Sequence, residues 1–145
     1  MKKICLALII LQFYSCEMSK KINVDSTPLS TVVKFISSES FIDTVEAKKY
    51  IDIEKVYSKY IDNENASAQK VWENRIAFLS NLSNDKKFTP HFKFYNYTIS
   101  EQNSKKISKI TFTSKRPNEG IKAIEYSLAL DAGENWKIID IEYRK

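Results

Sequence analysis

A single histidine, His91, is the first side chain to weigh for acid–base chemistry. An imidazole acting as a general base needs a pocket and a carboxylate within reach, and Asp43 or Asp52 would have to be brought to it by folding. The context Thr89-Pro90-His91-Phe92 sets it at the entry of a strand-like run, and the expectation is a surface or strand-edge residue rather than a catalytic one. Other chemistries find less. Two glycines in the whole chain leave no Gly-rich phosphate loop or dinucleotide fingerprint. A zinc site wants three or four His, Cys or carboxylate ligands, and the residues that follow Cys16 hold one histidine and no cysteine. Asp62-Asn63-Glu64-Asn65 lacks the spacing and glycine of a calcium loop. No G-x-S-x-G elbow is present. The sequence therefore assigns no catalytic residue, metal or cofactor, and the expectation is a protein that is not an enzyme.

Aromatic side chains offer binding chemistry instead. Phe92, Phe94, Tyr95, Tyr97, Phe112, Tyr126, Trp136 and Tyr143 all fall in the C-terminal half. Ligand pockets are mostly apolar with a few placed polar groups, and tyrosines supply both. Tyr95, Tyr97, Phe112, Tyr126 and Trp136 are the candidate pocket for a small apolar ligand. Aromatics are also good strand residues, so core packing is the competing account.

The cysteines carry a different chemistry. Lys2 and Lys3 precede an apolar run from Cys5 to Leu11, the charge and core of a secretory signal. That run is short of the about 20 residues a permanent transmembrane helix needs. Phe13-Tyr14-Ser15-Cys16 resembles a bacterial lipobox, in which a large apolar residue and a small one precede a cysteine. The resemblance implies that Cys16 becomes the lipidated first residue of the mature chain, held to a membrane of the bacterial cell envelope. Each buried methylene of an acyl chain adds roughly 0.8 kcal/mol. Residues 1–15 are then a signal peptide and 16–27 a lipidated tether. Cleavage without lipid and an uncleaved anchor are the alternatives.

Loss of residues 1–15 leaves 130 of the 145 residues, enough for one domain with an ordinary core. It also removes Lys2 and Lys3, lowering the formal net charge from +5 to +3. The remaining basic pairs, such as Lys48-Lys49, Lys86-Lys87 and Lys105-Lys106, are scattered. Nucleic-acid binding wants a concentrated basic face, and is not expected.

The elements that must position these groups read off in two halves. Thr27-Pro28 fits a helix cap with proline at the first helical position, and Leu29, Val32, Val33 and Ile36 recur at helical spacing. A weaker helix is expected near 41–50, with Asp43 and Glu46 in capping positions. Ile53, Val56, Tyr57, Tyr60 and Ile61 form a third stripe; Ala68, Val71, Trp72, Ile76, Leu79 and Leu82 form the longest. After Asn84-Asp85 the period becomes 2, with strands expected at 92–99, 107–114, 121–130 and 136–143. In the third strand, Ile124, Tyr126, Leu128 and Leu130 alternate with Glu125, Ser127, Ala129 and Asp131, the mark of a sheet with one buried face. Phase slips at Phe94-Tyr95 and Ile138-Ile139 predict a bulge or burial on both faces. Gly120 and Gly133 fall in turns. The expected fold is α+β, with N-terminal helices packed in a curved antiparallel sheet of four or more strands, and residues 28–145 forming one domain.

Glu134-Asn135-Trp136-Lys137-Ile138-Ile139-Asp140-Ile141 as the last strand, and Pro28 to Phe35 as the first helix, resemble the nuclear-transport-factor-2-like superfamily of cone-shaped, cystatin-like domains. That resemblance implies a cone whose interior either closes or leaves a pocket, and dimers formed through the sheet. Three functions remain open on these grounds. One is a membrane-tethered binding or accessory module of the envelope without catalysis. Another is an acid–base enzyme of isomerase or dehydratase type working inside the cone. The third is a module, such as an immunity protein, that meets an envelope protein through an exposed sheet face.

Overall fold

A computed structural model describes residues 26–62, 66–83, 92–116 and 120–145. The signal-like segment, Cys16, Pro90 and His91 lie outside the described residues. Helix α1 spans Pro28–Ser40 and starts where the sequence predicts. The Thr27 hydroxyl accepts the Ser30 amide at 3.1 Å, and the Ser30 hydroxyl accepts the Thr27 amide at 3.1 Å. These reciprocal bonds satisfy amides that helical geometry leaves without partners, and Pro28 needs none. Val32, Phe35, Ile36 and Glu39 form the inward stripe of α1. The helix ends in a turn in which Ile42 takes φ +59°, a left-handed conformation that is costly for a β-branched residue.

Two short helices follow, α2 over Thr44–Ala47 and α3 over Ile53–Tyr57. Asp43 caps α2 by accepting the Glu46 amide at 2.9 Å, and Asp52 caps α3 by accepting that of Lys55 at 3.1 Å. Between them, Ile51 bridges Ile138 in parallel. The Ile138 amide donates to the Tyr50 carbonyl, and the Asp52 amide to the Ile138 carbonyl, each at 2.8 Å. Helix α4, Ala68–Ser83, buries Ala68, Trp72 and Ile76 at four-residue spacing and packs against α3.

Four strands form one antiparallel meander in the order β1-β2-β3-β4: Tyr97–Asn103, Ile107–Ser114, Ala123–Leu130 and Trp136–Arg144. The α+β fold is the one expected, helices first and sheet after. Its inner face carries Ile110 and Phe112 from β2, Ile124, Tyr126 and Leu128 from β3, and Ile138 and Ile141 from β4, all buried. Its outer face is polar. There Glu125 lies buried between Lys109 at 2.5 Å and Arg144 at 2.6 Å, so the alternation read from β3 holds on both sides. Helices α1 and α3 cover β4, and α1 reaches β2; β1 stays exposed apart from its partly buried first residue, Tyr97.

The first strand departs from expectation. Residues 92–96 are not strand; Phe94–Asn96 coil into a 3-10 turn, and pairing starts at Tyr97 and continues to Asn103. A strand would send Phe94 and Tyr97 to opposite faces. The turn rephases the chain so that Phe92, Phe94 and Tyr97 all meet Phe112, with centroids 5.6, 6.0 and 6.3 Å away. The slip at Ile138-Ile139 is a bulge: Ser127 pairs Asp140 and Leu128 pairs Ile138, leaving Ile139 over. In the last turn, Asp131 accepts the amides of Gly133 at 2.8 Å and Asn135 at 2.9 Å. A Cβ on Gly133 would come within 2.9 Å of the Asn135 side-chain nitrogen and 3.3 Å of the Asp131 carboxylate, so a side chain here would displace the Asn135 side chain.

Candidate functional site

A cleft of about 490 Å³ opens between the C-terminal half of α1, the middle of α4, residues 92–97 and strands β3 and β4. Ile36, Ile42, Leu79, Phe92 and Ile124 supply its apolar wall. Tyr97, Tyr126 and Tyr143 bring phenols, and Glu39, Ser40, Arg75, Lys93 and Asn96 bring the remaining polar groups.

Its most unusual feature is an ion pair at the junction of the helices. Glu39 is 7% exposed, on the apolar stripe of α1. Arg75 comes from the corresponding stripe of α4, between Trp72 and Ile76. Its Nε meets Glu39 Oε1 at 3.1 Å and its Nη2 meets Oε2 at 3.1 Å. This fork-on-fork geometry uses both carboxylate oxygens, the strong arrangement for such a pair. Burial works against the guanidinium charge, but the charge and hydrogen bonds of Glu39 override it and hold the Arg75 pKa above its usual range. Glu39 is thereby a neutralised partner rather than a free base.

Around this pair burial raises the pKa values of three phenols, Tyr57, Tyr126 and Tyr143. Burial raises the Tyr126 pKa well above the ordinary phenol value, with the charge of Glu39 adding to the effect. Burial also raises that of Tyr57, whose hydroxyl is enclosed next to the cleft and finds no hydrogen-bond partner among the described residues. Tyr126, 4% exposed, lines the cleft, and its hydroxyl makes no hydrogen bond among the described residues. A neutral phenol at a partly apolar cleft can donate to an acceptor that enters, for a net gain of about 0.5–1.5 kcal/mol.

The five residues picked from the sequence separate. Tyr97 and Tyr126 line the cleft. Phe112, fully buried, stands behind them in the core, edge-on to both at 6.3 and 5.8 Å. Tyr95 is 70% exposed and lines neither cleft described here, because the 3-10 turn that aims its neighbours inward turns it out. Trp136 belongs to a second cleft at the opposite end of α1. Asp43 and Asp52, the carboxylates considered for His91, are helix caps outside the cleft. Glu39 and Arg75 escape the sequence reading, and Tyr143, named among the aromatics, stands outside the candidate pocket drawn from them. A signal for the first two was present: one acidic and one basic residue, each interrupting an apolar stripe on its own helix. Among the described residues no cluster of three His, Cys, Asp or Glu could hold a metal, and no helix is long and apolar enough to cross a membrane. No known protein family and no curated protein matches this chain.

Proposed function

We propose that this chain is a lipid-anchored module of the bacterial cell envelope that holds a small ligand in the cleft between α1, α4 and the sheet, without catalysis. The observation that carries the binding reading is the Tyr126 hydroxyl, without a hydrogen-bond partner among the described residues, at a cleft of about 490 Å³ next to an ion pair that is already satisfied. The ligand class follows from that lining. It has an apolar body that packs on Ile36, Leu79, Phe92 and Ile124, and a hydrogen-bond acceptor, a carbonyl or ether oxygen, that takes the Tyr126 proton donor. Glu39 has both oxygens engaged by Arg75, so proton abstraction finds no free carboxylate there. Ile42 supports the same location: a β-branched residue at φ +59° stores strain, and such residues gather at binding sites.

Native mass spectrometry of the chain extracted gently from a bacterial envelope tests the reading. The expected result is a reproducible excess mass released by denaturation, reduced about tenfold in occupancy by Tyr126→Phe, as loss of one hydrogen bond predicts. The ring stays in place in that variant, so the fold survives. A bare mass from the unaltered chain would overturn the ligand.

The anchor rests on Lys2, Lys3, the apolar run and Phe13-Tyr14-Ser15-Cys16. Expressed in a bacterium, the chain is expected to gain the mass of acyl groups and to fractionate with membranes, and Cys16→Ala to lose both. If the variant kept the same mass shift and membrane association, Cys16 would not be the anchor.

A further inference from the structure

The second cleft, about 410 Å³, lies at the N-terminal end of α1, away from the ligand cleft. Three lysines reach it from three separate elements: Lys34 from α1, Lys49 from the turn after α2, and Lys137 from β4. Among the described residues only one carboxylate lines it, Glu46, and that charge is already committed. Lys49 Nζ sits 2.6 Å from Glu46 Oε2, and the Tyr50 hydroxyl donates to Oε1. The Lys137 ammonium is tied down by donating to the Lys49 carbonyl rather than released to solvent. Among the described residues neither Lys34 nor Lys137 forms a close ion pair, although Glu46 feels the charge of Lys34 and Asp131 that of Lys137. The described lining of the cleft therefore carries three lysines against one carboxylate, a local positive excess that an entering anion would offset. The end of α1 contributes little to this, since Thr27 and Ser30 already cap it.

Beside the lysines stand the half-buried ring of Trp136 and the side-chain amide of Asn135. An indole face suits the carbon face of a polyol, and an amide suits its hydroxyls. We propose that this cleft binds the phosphate group of a phosphorylated polyol, with Lys34 and Lys137 neutralising the phosphate and Trp136 supporting the polyol carbons. A soluble sugar or glycerol phosphate and the headgroup of an anionic phospholipid share this chemistry.

Tryptophan fluorescence reads the site directly. Of the two tryptophans, Trp72 is 1% exposed, so a ligand at this cleft acts on Trp136. Titrating the full chain at low salt with sn-glycerol 3-phosphate should give a saturable change. The double variant Lys34→Ala/Lys137→Ala should weaken it at least tenfold with the melting temperature held, whereas Lys105→Ala/Lys106→Ala, on the β1–β2 turn, should leave it unchanged. In parallel, co-sedimentation compares phosphatidylglycerol-containing vesicles with phosphatidylcholine alone, the difference between them being independent of any lipid anchor. A lysine-dependent signal with the soluble ester assigns the site to a free phosphorylated polyol; a lysine-dependent preference for phosphatidylglycerol alone assigns it to a headgroup. Absence of both, or equal loss in the Lys105/Lys106 control, overturns the proposal.

Discussion

Phe112→Ala lowers the stability of the domain by about 3–5 kcal/mol, the range for removing a large buried aromatic ring. Phe112 is fully buried and stands at the centre of an aromatic cluster. Phe92, Phe94, Tyr97 and Tyr126 surround it, with centroids 5.6–6.3 Å away and mostly edge-on. Edge-to-face contacts of this kind add to simple area burial. Truncation loses them together and opens a cavity that neighbouring rings cannot fill without leaving their rotamers. Urea unfolding measures it as a fall in midpoint at constant slope. Tyr95→Ala, two residues before Tyr97 but 70% exposed, should change the midpoint little. A cost below about 1 kcal/mol at Phe112 would mean that the cluster is not where the core closes.

Glu39→Ala is expected to cost about 2–3 kcal/mol, because it leaves the Arg75 guanidinium without its partner in a poorly hydrated site. Breaking a fully buried pair costs more, but the Arg75 side chain is 33% exposed and water recovers part of the loss. Arg75→Leu should cost a similar amount for the complementary reason. Together, Glu39→Leu/Arg75→Leu should return to within about 1 kcal/mol of the natural chain, since paired charges inside a protein roughly break even against apolar replacements. A double-mutant cycle by urea unfolding gives the coupling. Additive losses would show that the two side chains act separately, and would remove the self-neutralised pair from the account of the cleft. The same double variant should enlarge the apolar part of the cleft while retaining the Tyr126 donor.

Particular residues show why some of this was legible in the sequence. Thr27-Pro28 announced the start of α1 because capping is local chemistry, complete within four residues. The alternation Ile124, Tyr126, Leu128 announced a sheet with one dry face because side-chain direction in a strand follows sequence parity alone. The Ile138-Ile139 slip announced its bulge for the same reason. The strand beginning near Phe92 was misplaced because alternation cannot see that three aromatics must converge on Phe112, a partner on another strand. The site was less legible still. Tyr97 and Tyr126 were found by composition, yet composition could not separate them from Tyr95, which carries the same side chain turned outward.

The helix-then-sheet order, the caps, the turns at Gly120 and Gly133 and the inward face of β3 are all set by neighbours within a few residues. It takes the packed fold to bring Glu39 and Arg75 together, to set the Tyr126 hydroxyl at a cleft, and to gather Lys34, Lys49 and Lys137 at another. These groupings join residues 36 or more positions apart or lie on separate elements, and no periodicity in a chain encodes where two elements will cross. Their placement is fixed by how α1 and α4 pack on the inner face of the sheet, a consequence of burying every apolar stripe at once.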